Sequence, residues 1–150
     1  MNTSLYEKDF YTWVQQQASL LSQKKFDQLD LPHLIEELED LGKRHYDQLE
    51  SRLMQLMAHL LKWQVQYWKR TNSWRATIRV QRTAIAKLLR RNPGLKSRLE
   101  EAMRETWEEA RDLAIIETDL PDEQFPEACP FSLEEILSET FFPEPENNSQ

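Results

Sequence analysis

The chain has 150 residues, a formal net charge of −7, 39% hydrophobic and 10% aromatic residues, one cysteine and two glycines. That length fits a single domain with a buried core, the aromatic content argues against disorder, and a lone Cys129 excludes an intramolecular disulfide or a zinc ribbon. No apolar run approaches the length of a bilayer span, and the N-terminus MNTSLYEKDF lacks the basic start and apolar core of a signal peptide, so a cytoplasmic protein without membrane association is expected.

Ser4 and Glu7 have the spacing of a capping box and predict a helix from about Leu5, along which Tyr6, Phe10, Trp13, Leu20 and Leu21 recur at helical spacing. After a connection over 26–31, with Asp30 as cap and Pro32 in the first turn, a long helix is predicted to about Lys69. Its stripe of Leu34, Leu38, Leu41, His45, Leu49, Leu53, Leu56, Leu60, Trp63 and Tyr67 steps by three or four residues without a gap. Gly42 is its weak point, a place for a bend or for close approach by another helix. A third helix follows the Thr71–Ser73 turn and carries Trp74, Ile78, Ile85, Leu88 and Leu89 on one face. Asn92-Pro93-Gly94 breaks it and opens a fourth with Leu95, Leu99, Met103, Ala110 and Ala114. An irregular acidic segment over 119–131 leads to a short last helix, capped by Ser132 and Glu135, and PEPENNSQ reads as a flexible tail over 143–150.

Charge is distributed unevenly. Eleven Lys and Arg fall between Lys62 and Arg98 with no acid among them, and eleven Asp and Glu fall between Asp112 and Gln150 with no base. A cationic block of that kind meets an anion, whether the chain's own acids, a partner protein or a nucleic acid. The acidic segment is expected to fold back over the basic face, anchored by Phe125, Phe131, Leu133, Ile136, Leu137, Phe141 and Phe142.

Two constellations are candidate sites. Lys62, Lys69, Arg70, Arg75, Arg79 and Trp68 form a basic surface interleaved with aromatics, the composition that single-stranded nucleic acid requires. Trp63, Tyr67 and Trp74 also fall on the apolar stripes and so read as core. Arg82 sits inside the apolar stripe, three before Ile85 and four after Ile78. A lone buried charge is costly, so a carboxylate from Glu36, Glu37 or Asp40 is expected to pair with it. Glu36, Glu37, His59 and Arg82 together make a candidate inter-helix polar site that could hold a metal or small ligand. His59 by itself reads as a packing residue, and the acids Glu36, Glu37, Glu39 and Asp40 as a solvated face. Glu-x-x-His and His-Glu-x-x-His elements and a glycine-rich phosphate loop are absent, so no catalytic residue, metal ligand or cofactor is assigned and the chain is not read as an enzyme.

LPHLIEELEDLG (31–42), HLLKWQ (59–64), SWRATIRVQR (73–82), NPGL (92–95) and FPEACPFSLEEIL (125–137), in this order and spacing, resemble the bacterial family known as domain of unknown function 29, common in cyanobacteria. The resemblance spans about Leu5 to Phe142. It implies an all-helical fold, no established activity, and a family motif that includes Glu37, His59, Lys62, Trp63, Trp74 and Arg82. The expected architecture is a single all-α domain over 1–142, an antiparallel bundle of four main helices on one long central helix plus a short C-terminal helix. The expected function is a protein-interaction or scaffolding module that self-associates. Nucleic-acid binding on the basic 62–98 face is the first alternative, and metal or small-ligand binding the second.

Overall fold

Residues 4–145 are described by a computed structural model. The fold is an all-α bundle with helices α1 (Leu5–Lys8), α2 (Phe10–Ser22), α3 (Leu31–Val65), α4 (Asn72–Arg91), α5 (Leu99–Thr118) and α6 (Leu133–Leu137), and no strand among the described residues. Two compact units, Met1–Arg44 and His45–Gln150, make up the chain, and their boundary falls within α3. Gly42 does not break α3, and a Cβ there would meet no atom within 4 Å, so no element packs closely against it.

In the first unit the predicted capping box does not form: Ser4 makes no side-chain cap, and the chain leaves helical geometry at Asp9. Asp9 is the stronger cap, because its carboxylate accepts both the Thr12 amide at 3.0 Å and the Thr12 hydroxyl at 2.6 Å. One expected helix therefore becomes α1 and α2. A polar and aromatic knot then ties α2 to the start of α3. Asp30 accepts Trp13 Nε1 at 3.0 Å and pairs with His33 Nδ1 at 2.7 Å, Gln17 Oε1 accepts the Asp30 amide at 2.8 Å, and Tyr6 stacks on His33. The bond from His33 holds the Asp30 carboxyl below its usual range. The Tyr6 hydroxyl donates to Glu37, which pushes its pKa up to about 12.

The second unit has a conventional apolar core. Leu49, Leu53, Leu56, Met57, Leu60 and Leu61 of α3 are fully buried against Ile78 and Ile85 of α4 and Ile136 of α6, each worth about 1.5–3 kcal/mol relative to exposure. α5 meets this core along a seam in which every fourth residue is small: Ala102, Thr106, Ala110, Ala114 and Thr118 are all buried. Thr106 and Thr118 satisfy their hydroxyls on the carbonyls of Ala102 and Ala114, each at 2.7 Å. The Ser132–Glu135 capping box of α6 is present in full. Pro143 and Glu144, assigned by composition to a free tail, are held instead, their carbonyls accepting Arg70 Nη2 at 3.1 Å and Gln64 Nε2 at 3.2 Å. The rest of that expected tail, 146–150, lies outside the described residues.

Candidate functional site

α4 starts at Thr71, whose hydroxyl accepts the Trp74 amide at 3.1 Å. From that start Arg75, Arg79, Arg82 and Arg90 recur at helical spacing and share one face. With Arg70 they line a cleft of about 680 Å³, walled by Trp63, Leu137 and Phe142 and rimmed by Glu139 and Glu144.

These arginines are positioned by neutral groups. Arg82 Nε donates to the Ile136 carbonyl at 2.8 Å and Nη2 to the Glu135 carbonyl at 3.1 Å, while its guanidinium lies 5.5 Å from the Phe142 ring. Arg70 Nε donates to the Trp63 carbonyl at 2.9 Å, and Arg70 and Arg75 stack over the Trp63 indole at 4.8 and 5.5 Å. Among the described residues the ion pairs within 4.0 Å are His33–Asp30, Lys62–Glu117 and Arg98–Glu101, so no carboxylate neutralises a cleft arginine. The carboxylate partner expected for Arg82 is thus replaced by two carbonyls at the C-terminal end of α6, where a cation also complements the helix dipole. Burial without a counter-charge lowers the Arg82 pKa from its usual value.

The candidate inter-helix polar site does not assemble. Glu36 is exposed, Glu37 accepts the Tyr6 hydroxyl, His59 Nδ1 donates to the Gln55 carbonyl at 2.8 Å, and Arg82 binds carbonyls, so none of the four bonds another. Burial lowers the His59 pKa from its usual value. The basic surface is brought together in part. Arg70, Arg75 and Arg79 line the cleft, whereas Lys69 and Trp68 are exposed outside it. Lys62 is buried at 5% exposure, bound to Glu117 at 3.3 Å and lying over the Trp74 ring at 4.7 Å. Tyr67, read as core, is 51% exposed. Sequence reasoning missed Arg90 and Phe142 as cleft residues, and the spacing of arginines along α4 was the signal for the first. It read Asp30 only as a helix cap and not as the partner of His33, three residues further on. Cys129 is half-buried, and burial raises its thiol pKa, the opposite of an activated nucleophile.

The first unit carries a second feature. The apolar stripe of α3 is continuous in sequence, but its first part faces solvent: Leu38 is 66% and Leu41 48% exposed. With Phe10, Val14 and Leu21 of α2 these leucines line an apolar groove of about 340 Å³, with Glu37 and Arg44 also on its lining.

The family model described as Domain of unknown function DUF29 matches residues 5–142. The chain belongs to this family. No curated protein and no solved structure matches it. The DUF29 description names no activity, so no residue role is inherited and the site rests on its own geometry. No described helix of this DUF29 chain is long and apolar enough to cross a membrane.

Proposed function

We propose that the chain is a cytoplasmic interaction module that self-associates through the groove of its first unit. The observation that carries this reading is the imbalance between what that unit buries and what it exposes. Trp13 and Gln17 are its buried residues among those described, whereas Phe10, Val14, Leu21, Leu38 and Leu41 stay exposed along one groove. Exposed apolar residues gathered on one face, rather than scattered singly, mark an association surface.

The occupant of the groove is a second copy. Glu37 and Arg44 lie seven residues apart on α3, two turns along one face, with Leu38 and Leu41 between them. Two copies of this segment in antiparallel register place the Glu37 of each opposite the Arg44 of the other, as a self-complementary two-fold contact requires. Light scattering of the eluted protein across a range of concentrations tests this. The wild type is expected to approach the mass of a dimer, and Leu38→Lys to elute as a folded monomer. A wild type that stays monomeric at high concentration contradicts the reading.

A further inference from the structure

We infer that the arginine cleft of the second unit binds the phosphate of a phosphate ester, a ligand site independent of self-association.

Three observations carry the inference. Five guanidiniums converge on one cleft, and no carboxylate lies within 4.0 Å of any of them among the described residues. Where cations serve only to fix a fold, acids normally accompany them, because uncompensated like charges repel at short range. Here no ion pair forms within 4.0 Å, although Glu139 and Glu144 stand on the rim.

The positioning of the arginines is the second observation. Arg70 and Arg75 rest on the Trp63 indole, and Arg82 is clamped by the carbonyls of Glu135 and Ile136. An aromatic face and carbonyls hold a guanidinium still and leave its full charge available. Less freedom is then lost when an anion arrives.

The third observation is an unmet donor. Arg82 is 5% exposed, and its Nη1 is buried with no acceptor in the described chain. A buried N–H without a partner costs about 1–3 kcal/mol, more when charged, so the guanidinium behind the cleft wall carries an uncompensated charge that an anion in the cleft would offset. Several fork-shaped donors around one space match the tetrahedral, multiply charged phosphate group better than a single carboxylate. The volume, about 680 Å³, is that of a small-ligand pocket.

Phosphate esters come from two sources, a free nucleotide or a nucleic-acid strand, and calorimetry on the full chain with two probes separates them. The probes are ATP and a single-stranded DNA decamer, each at about 50 mM salt. Arg82→Ala is a poor test because it also releases α6. Arg79 is exposed, lines the cleft and makes no hydrogen bond or ion pair among the described residues. Arg79→Ala is therefore expected to weaken binding about tenfold, the effect of one charge-assisted bond, with the melting temperature unchanged. Glu139→Gln removes a rim acid that repels the ligand and is expected to tighten binding about two- to fivefold. Tighter binding of ATP identifies a nucleotide as the source, and tighter binding of the decamer a strand. The inference is overturned if neither probe binds, or if Arg79→Ala binds as tightly as the wild type.

Discussion

Arg82 Nε donates to the main-chain carbonyl of Ile136 at 2.8 Å, joining α4 to a segment more than fifty residues further along the chain. The side chain of Ile136 is fully buried, so this guanidinium fastens the α6 segment at the point where its apolar anchor enters the core. The neighbouring bond to the Glu135 carbonyl makes the attachment two-pronged.

Arg82→Ala is accordingly expected to destabilise the protein by about 2–4 kcal/mol, since two charge-assisted bonds are lost and the Ile136 carbonyl is stranded, while the Glu135 carbonyl keeps the Ser138 amide. Arg82→Lys should recover less than half of that, because one ammonium cannot reproduce the fork. Urea unfolding followed by circular dichroism measures both, and an unchanged midpoint for Arg82→Ala would contradict the assignment.

The charge reversal was legible in the sequence, but the means by which the acidic segment docks was not. Opposite blocks suggested carboxylates on cations, and only Lys62–Glu117 joins the two blocks as an ion pair among the described residues. Docking runs instead through Phe125, Phe131 and Ile136 in the core and through main-chain carbonyls on arginines. Composition cannot reveal this, since every residue carries a carbonyl. Removing the segment would therefore open the core as well as take Glu139 and Glu144 from the arginine cleft. The apolar periodicity of α3 likewise fixed its helical state but not which part is covered. Leu53 and Leu38 belong to one stripe, yet Leu53 is fully buried and Leu38 is 66% exposed. Burial depends on what packs against a face, and spacing along one helix does not contain that.

The ends of the helices offer a direct stability test. α5 closes with Asp119 in the left-handed region at φ 56°, where a side chain costs about 1 kcal/mol and a carboxylate faces the negative end of the helix. Asp119→Gly is expected to stabilise by about 1 kcal/mol, raising Tm by roughly 2–4 °C. Differential scanning calorimetry decides it, and a lower Tm would show that the Asp119 carboxylate makes a contact of greater worth.

Stability should also respond to pH through Glu50. Burial, and then the neighbouring Glu105, raise its pKa from 4.5 to about 7, and Glu105 in turn accepts the Tyr46 hydroxyl at 3.1 Å. Between those values the folded chain keeps a proton that the unfolded chain has released, so this contribution to stability is present at low pH and is lost as pH rises towards about 7. Glu50→Gln retains a neutral side chain throughout. Its stability relative to the wild type is expected to climb across that window and to level off above it. A difference that stays constant with pH would show that Glu50 titrates normally.

Self-association through the first unit is tested most directly by exchanging charges between copies. Glu37→Arg and Arg44→Glu, each alone, set like charges against each other across a two-fold contact and should elute as monomers. Mixed in equal amounts, the two variants restore opposite charges at both ends of the contact, because one copy then carries two cations and the other two anions. Light scattering of the mixture is predicted to recover the dimer mass that each variant alone lacks. A mixture that remains monomeric, beside a wild type that dimerises, would contradict the antiparallel contact.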